Sequence, residues 1–155
     1  MDEEFINRCL LLARKGMGRV APNPMVGALV VYQGVIIGEG YHKEYGQEHA
    51  EVNAIKVVQD KSKLSESTLY VNLEPCSHHG KTPPCTDIIS KYKIPKVVIG
   101  ALDDNPDVNG NGIKVLQDGG CEVIHGILED ECRTLNKRFY TFHKEKRPYV
   151  ILKWA

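Results

Sequence analysis

The chain has 155 residues, a length that suits one domain with a substantial hydrophobic core. Hydrophobic residues make up 42% and charged residues 26%, which is ordinary for a soluble globular protein. Twenty basic residues balance twenty acidic ones, so the chain lacks the basic excess of a protein that binds phosphate backbones. We therefore expect no nucleic-acid partner.

Cysteine usage and the N-terminal residues indicate a reducing compartment. The chain has five cysteines, an odd number, and no apolar run approaches the roughly 20 residues that span a bilayer. The segment Met1-Asp2-Glu3-Glu4 is acidic, whereas a secretory leader begins basic and continues apolar. We expect a cytoplasmic protein without a membrane segment, in which paired Cys and His residues bind metal rather than form disulfides.

Hydrophobic periodicity predicts strands and helices in alternation. Apolar, β-branched runs bounded by turn residues predict strands at residues 25–32, 35–40, 68–73, 96–101 and 121–124. Helical spacing predicts helices at residues 2–16, 49–60, 85–91, 111–118 and 129–143. This order favours an α/β fold, with helices on both faces of a mixed, mostly parallel sheet that opens with an antiparallel hairpin. The prolines of Ala21-Pro22-Asn23-Pro24 exclude regular structure there.

The residues with chemical potential lie in His49-Ala50-Glu51, in Glu74-Pro75-Cys76 and at Cys85. One imidazole and two thiolates suit zinc, and a zinc ion with three protein ligands keeps a fourth position at which water is acidified. A carboxylate at Glu51 can move the proton of that water. His-x-Glu followed by Pro-Cys matches the signature of zinc deaminases, which release ammonia from an amino-substituted ring carbon.

A structural zinc site is the alternative interpretation of the same residues. Such a site is normally closed by a fourth protein ligand, which His78 or His79 could supply. The protein would then be a non-catalytic interaction module stabilised by zinc. The other three cysteines are expected to be small core residues: Cys9, Cys121 and Cys132.

The spacing of the two cysteines departs from the general signature. Residues 77–84 separate Cys76 from Cys85, whereas the signature has two residues between its cysteines. A loop that begins and ends on metal ligands must overhang the site. It contains a lysine, two histidines and hydroxyl groups, which are suitable donors to a phosphate. We interpret it as a phosphate-binding loop, the alternative being a surface loop with incidental polar residues.

Five segments together resemble one family. They are residues 21–27 (Ala-Pro-Asn-Pro-Met-Val-Gly), 49–54 (His-Ala-Glu-Val-Asn-Ala), 73–85 (Leu-Glu-Pro-Cys-Ser-His-His-Gly-Lys-Thr-Pro-Pro-Cys), 103–106 (Asp-Asp-Asn-Pro) and 110–112 (Gly-Asn-Gly). The chain resembles, over nearly its whole length, the deaminase domain of the bifunctional riboflavin-biosynthesis deaminase/reductase family.

The resemblance implies a cytidine-deaminase-like, three-layer α/β/α sandwich and a specific reaction. The substrate would be 2,5-diamino-6-(5-phosphoribosylamino)pyrimidin-4(3H)-one, hydrolysed to 5-amino-6-(5-phosphoribosylamino)uracil with release of ammonia. It assigns Zn²⁺ to His49, Cys76 and Cys85, and the proton transfers to Glu51.

The resemblance also implies substrate contacts and an assembly. It places the ring, ribose or phosphate of the substrate at four residues, which are Asn23, His42, His78 and Lys81. Each has a plainer alternative: Asn23 could hold its proline-rich loop, His42 could end a strand, and Lys81 could be solvated. Members of the family often assemble from several chains, so we expect a homo-oligomer.

The family's second domain is not expected within this chain. Residues 1–146 correspond to the zinc-dependent deaminase domain, and residues 147–155 resemble the start of an absent C-terminal reductase domain. Because the nucleotide-binding sheet of that domain is missing, we expect neither NADPH binding nor reductase activity. The chain would be either a deaminase cut at the domain boundary or one that stands alone.

Other deaminase substrates remain open at the level of sequence. Free cytosine nucleosides and guanine do not need the extended loop between the cysteines. A tRNA adenosine would call for a basic face, which the balanced charge does not promise.

Overall fold

The computed structural model describes residues 1–154, which form a five-stranded sheet covered by six helices. The strands are β1 (Gly27–Tyr32), β2 (Val35–Tyr41), β3 (Thr68–Leu73), β4 (Lys96–Ala101) and β5 (Glu122–His125). The helices are α1 (Asp2–Ala13), α2 (Ala50–Lys56), α3 (Cys85–Lys91), α4 (Asn111–Asp118), α5 (Glu129–Leu135) and α6 (Lys137–Glu145). Among residues 1–154, none of the helices has the length and apolar character needed to cross a membrane.

The sheet is mixed, as the sequence indicates. Its strand order is β2-β1-β3-β4-β5. Strands β3, β4 and β5 pair in parallel, whereas β1 pairs antiparallel with both β2 and β3. Half of the four pairings are therefore parallel, a smaller share than predicted, because β1 lies in the interior of the sheet and not only in the opening hairpin.

Alternate strand residues build two hydrophobic layers, one on each face of the sheet. Val30 and Ile99 are fully buried in the layer beneath α2, α3 and α4. Leu29 and Val98 are fully buried in the layer beneath α1, α5 and α6. The predicted three-layer α/β/α sandwich is thus confirmed, and both faces of the sheet are covered.

Close contact between β2 and α2 depends on the absence of a side chain at Gly40. A Cβ at this position would overlap the backbone of α2 at Ala50 and Ala54. The glycine therefore lets the first turn of α2 lie directly against the sheet. The residues immediately before and within that turn are His49 and Glu51.

Most predicted elements match the observed bounds within two or three residues, but two helix predictions were wrong. The helix predicted to reach residue 60 ends at Lys56, because the Lys61 ammonium donates to the carbonyl groups at its C-terminal end. The last predicted helix is divided at Asn136 into α5 and α6. The Asn136 amide accepts from Met25 N and donates to Met25 O, both at 2.8 Å, so a tertiary contact competes with helix continuation.

The apolar C-terminal segment is not part of the sheet. Residues 147–154 have neither helical nor strand structure, and Val150, Leu152 and Trp154 are exposed. A strand requires a hydrogen-bonded neighbour, and none of the five strands pairs with this segment within residues 1–154. Its apolar side chains consequently remain outside both core layers.

Replacing Gly40 by alanine tests the close packing of α2 on β2. We expect Gly40→Ala to lower the free energy of unfolding by about 1–3 kcal/mol, because the added methyl group must displace the α2 backbone. Urea denaturation at constant zinc concentration measures the change. Gly80→Ala is the matched control, since a Cβ at Gly80 meets no atom within 4 Å. Equal stability of the two variants would contradict this view of the packing.

Candidate active site

The donor atoms of His49, Cys76 and Cys85 meet at one point. His49 Nδ1 lies 3.5 Å from the sulfur of Cys76 and 3.3 Å from the sulfur of Cys85. All three donor atoms lie within 4.8 Å of one another. Zinc bonds of about 2.0–2.1 Å to nitrogen and about 2.3 Å to sulfur, at tetrahedral angles, place N and S about 3.6 Å apart. The cluster therefore fits Zn²⁺ in both donor chemistry and spacing.

Three separate segments supply these donors. His49 is the extended residue immediately before α2, Cys76 follows the end of β3, and Cys85 is the first residue of α3. The backbone N–H of Cys85 donates to the sulfur of Cys76 at 3.4 Å. The turn that begins α3 is thus held against the segment after β3, although eight residues separate the cysteines.

The cluster favours a negative charge on Cys76. A hydrogen bond with Cys85, and a further one with His49, lower the pKa of Cys76 to about 4 although burial opposes the change. The same hydrogen bond, followed by burial, raises the pKa of Cys85 well above its usual value. The hydrogen bond to Cys76 also raises the pKa of His49. The site is therefore arranged to carry anionic sulfur, which is the form that binds metal.

A closed, structural metal site is not what the geometry indicates. Within residues 1–154 the group of potential metal ligands comprises His49, Cys76 and Cys85, and neither His78 nor His79 belongs to it. His49 and Cys76 instead line a cavity of about 470 Å³. A set of three protein ligands, two of which line a cavity, is typical of catalytic rather than structural zinc.

Glu51 lies beside the cluster and also lines the cavity. It is 3% exposed and belongs to the first turn of α2, two residues after His49. Burial is the main cause that raises the pKa of its carboxyl group, while the charge of His49 opposes the change. Its carboxyl group consequently lies at the same cavity as His49 and Cys76, where a proton-transfer group would have to be.

The cavity also collects the other residues predicted from sequence. Its lining includes all four of the predicted substrate-binding residues, Asn23, His42, His78 and Lys81. They come from the segment before β1, the end of β2 and the loop between the cysteines. Residues far apart in the chain are therefore brought to one surface.

His42 and Asn23 are hydrogen-bonded to each other. Asn23 Nδ2 lies 3.1 Å from His42 Nε2, and His42 Nδ1 lies 3.0 Å from the carbonyl oxygen of Glu48. Burial lowers the pKa of His42, so the ring is neutral, donates from Nδ1 to Glu48 and accepts from Asn23. Both ring nitrogens are occupied, and His42 therefore orients the Asn23 amide.

The loop between the cysteines overhangs the cavity, as its anchoring suggests. His78, Gly80, Lys81 and Thr82 all contribute to the lining. The Lys81 ammonium group lies 4.0 Å from the centre of the Tyr45 ring, and both residues line the cavity. A cation–π contact of this kind holds a positive charge beside the cavity.

Several lining residues were missed by sequence reasoning. Tyr45, Phe139 and His143 line the cavity, and the Phe139 and His143 rings lie 4.4 Å apart on α6. Nothing in the local sequence of α6 places it beside residues that come a hundred positions earlier. Asp103 was noticed only as part of a family-like segment, yet it is 7% exposed and lines the cavity. Burial, followed by the charge of Glu74, raises the pKa of Asp103 to about 6.

Comparison with known families identifies the class of protein. Residues 1–101 match the family described as the cytidine and deoxycytidylate deaminase zinc-binding region. The chain therefore belongs to the cytidine and deoxycytidylate deaminase family. The match includes both the His-x-Glu segment and the two cysteines, which agrees with the zinc-binding geometry of the cluster.

Individual relatives narrow the similarity to one group within that class. The chain is 47% identical to the riboflavin biosynthesis protein RibD of Aquifex aeolicus, over all of this chain and 43% of that protein. It is 44% identical to the RibD of Escherichia coli, over 98% of this chain and 41% of that protein. A solved structure from Thermotoga maritima, a diaminohydroxyphosphoribosylaminopyrimidine deaminase/5-amino-6-(5-phosphoribosylamino)uracil reductase, superposes with a TM-score of 0.90 and 50% identity. That similarity covers 96% of this chain and 42% of the other, so the chain corresponds to under half the length of these relatives.

The buried carboxyl group of Asp103 makes stability depend on pH. Its pKa of about 6 lies above the unfolded value of 3.8, so between these values the folded state holds the proton that the unfolded state has lost. Ionised Asp103 therefore destabilises the fold above about pH 6. We expect Asp103→Asn to raise the free energy of unfolding, by about 1 kcal/mol more at pH 7.5 than at pH 5.

Urea denaturation of both proteins across this pH range measures the difference. Asp107→Asn, which changes an exposed carboxylate of the same loop, serves as the control. A gain for Asp103→Asn that is the same at pH 5 and pH 7.5 would contradict the burial of an ionisable Asp103.

Proposed function

We propose that this chain catalyses hydrolytic deamination of 2,5-diamino-6-(5-phosphoribosylamino)pyrimidin-4(3H)-one in riboflavin biosynthesis. The observation that carries the proposal is a three-donor cluster, formed by His49, Cys76 and Cys85, that shares a cavity with the buried carboxyl group of Glu51. The identity to RibD proteins supports the choice of substrate within the deaminase family. The amino group at C2 of the pyrimidinone is replaced by a carbonyl oxygen, and ammonia leaves.

In this proposal His49, Cys76 and Cys85 hold Zn²⁺. When bound, the zinc ion supplies an acidified water at neutral pH and stabilises negative charge on oxygen. The remaining lining residues have to exclude bulk water, orient the pyrimidine ring and move protons.

Glu51 performs the proton transfers in the proposed reaction. It accepts a proton from the attacking water as the oxygen bonds to C2, and it delivers a proton to the adjacent ring nitrogen. It then takes the remaining proton from the new hydroxyl group at C2 and delivers it to the amino group, so that the exocyclic C2–N bond breaks, ammonia leaves and the ring carbonyl forms. The position of Glu51 in the first turn of α2, inside the cavity, supports this role.

Polar lining residues of different burial suit different parts of the substrate. Glu51 is buried, and the Asn23 amide, oriented by His42, is half-buried. His78 and Lys81 belong to the loop between the cysteines and are exposed, so a phosphate bound there would remain near solvent. We assign ring or ribose recognition to Asn23 and phosphate recognition to the loop residues.

We infer a domain organisation, an assembly and a location as well. Residues 1–146 would form the deaminase domain, and residues 147–155 would begin a reductase domain whose remaining part would bind NADPH. Exposed apolar side chains, among them Val35 and Phe142, support assembly into a homo-oligomer. Five unpaired cysteines within residues 1–154 fit the reducing cytoplasm.

Removal of the proposed proton-transfer group should abolish catalysis and leave the metal in place. We expect Glu51→Gln to lower kcat by about 10²–10⁴-fold, because the amide cannot accept the proton of water. Ammonia release from the phosphorylated pyrimidinone measures turnover, and zinc analysis of the same sample measures occupancy. Glu44→Gln, which changes an exposed glutamate outside the cavity lining, is the control. Unchanged turnover in Glu51→Gln would contradict the assignment.

Phosphate recognition by the overhanging loop predicts a substrate-dependent defect. We expect Lys81→Met to reduce kcat/KM for the phosphorylated substrate by about 10–100-fold, the loss of a charge-assisted hydrogen bond. The dephosphorylated compound should be affected by less than about threefold, since it offers that lysine no charged partner. Lys43→Met removes a nearby exposed charge that does not line the cavity. Equal losses on both substrates would show that Lys81 does not bind the phosphate.

A further inference from the structure

The Glu74 carboxylate ties two distant segments of the chain together. Its Oε2 accepts from the backbone N–H groups of Asp103, at 3.3 Å, and Gly110, at 3.0 Å. Its Oε1 accepts from the N–H of Gly112 at 3.0 Å. Glu74 is 4% exposed, and within residues 1–154 no basic side chain forms an ion pair with it. Its charge is therefore balanced by backbone dipoles of the segment that it binds.

The segment bound by Glu74 is a wall of the cavity. Residues 103–110 connect β4 to α4 without regular secondary structure, and Asp103, Asn105 and Val108 from it line the cavity. Two of the donors to Glu74, Asp103 and Gly110, lie at the two ends of this segment, and the third, Gly112, follows in the first turn of α4. A single carboxylate thus closes the segment into a loop. Inside the loop, side-chain hydrogen bonds to Asn105 N and Asp107 N link residues only two positions apart. These local bonds shape the loop. Its attachments to other elements include the bonds to Glu74 and a bidentate pair in which the Arg133 guanidinium of α5 donates to the Asp104 carboxylate at 3.0 and 3.2 Å.

Two glycines permit this attachment. Gly110 has a φ angle of 81°, a left-handed conformation that most residues adopt only with strain. A Cβ at Gly112 would overlap the carbonyl oxygen of Pro75. The beginning of α4 therefore contacts the backbone between Glu74 and Cys76 directly. The two glycines of segment 110–112, which carries no role in the proton-transfer scheme, are explained by this contact.

We propose that Glu74 is a positioning residue that fixes residues 103–112 as the substrate-binding wall opposite the donor cluster. Glu74 precedes Cys76 by two residues, so the same short segment sets the position of one proposed metal ligand and of this wall. The distance between the reacting centre and the Asp103 and Asn105 side chains is then fixed by backbone geometry. Loss of the tether should weaken substrate binding and leave the proton transfers largely intact. This effect on substrate rests on the proposed function, whereas the tether itself does not.

Amide hydrogen exchange tests the tether without reference to activity. In the parent protein the N–H groups of Asp103, Gly110 and Gly112 should all exchange slowly, because each donates to a buried carboxylate. In Glu74→Gln one side-chain position becomes an NH₂ group, which cannot accept from a backbone N–H. At least one of the three amides should then exchange about tenfold faster or more. Fast exchange of any of them in the parent, or unchanged exchange in the variant, would overturn the proposal.

Steady-state kinetics and zinc analysis separate positioning from a general structural role. We expect Glu74→Gln to raise KM for the phosphorylated pyrimidinone about tenfold, because roughly one hydrogen bond that orders the loop is lost. The kcat should stay within about threefold of the parent value, and the zinc content should be unchanged. Gly112→Ala, which pushes the start of α4 away from Pro75, should give the same pattern. A fall in kcat alone, or loss of zinc, would contradict the positioning role.

Asp60→Asn is the matched control, since Asp60 accepts from Ser62 N outside the cavity. An inactive parent would contradict the proposed function, and the exchange rates would still decide on the tether.

Discussion

The structure depends on bringing one imidazole and two thiol groups, carried by three separate segments, to within about a bond length of a common point. His49 Nδ1 lies 3.5 and 3.3 Å from the two sulfur atoms. Ionisable groups buried this close together are stable only when they share a partner that compensates their charge. Two neighbouring features hold the donor atoms together. The absence of a side chain at Gly40 lets α2 pack directly against the sheet, and the N–H of Cys85 donates to the sulfur of Cys76. The opening of α3 and the segment after β3 are consequently held together.

The sheet topology explains why the cavity lies beside this cluster. Strands β3 and β4 are parallel neighbours, so the segments that follow them emerge at the same edge. The segment after β3 carries Cys76 and the overhanging loop, and the segment after β4 carries Asp103 and Asn105. Glu74 joins the two through backbone N–H groups. The segment that carries Cys76 and the cavity wall formed by residues 103–112 therefore belong to one connected unit instead of two independent loops.

Sequence reasoning reached the fold class and the donor cluster because their signals are local. Strand and helix periodicity, and the spacing of His49, Cys76 and Cys85, are readable over a few residues. The helix boundary and the cavity residues that sequence reasoning missed depend on tertiary contacts. Asn136 divides the last helix because its amide meets Met25, more than a hundred residues earlier. The placement of Phe139 and His143 at the cavity likewise follows from the packing of α6, which no local pattern specifies. The resemblance to a known family marks residues 103–106 and 110–112 as characteristic of that family, but it does not indicate what these residues contact.

A comparison of substrates tests the central claim most directly. Ammonia release by the zinc-loaded protein would be measured with the phosphorylated diaminopyrimidinone, its dephosphorylated form and deoxycytidylate, the last being the substrate type named by the wider family. The account predicts turnover of the first compound, with kcat/KM at least about tenfold lower for the second and no measurable turnover of the third. Preference for deoxycytidylate, or indifference to the phosphate, would contradict it.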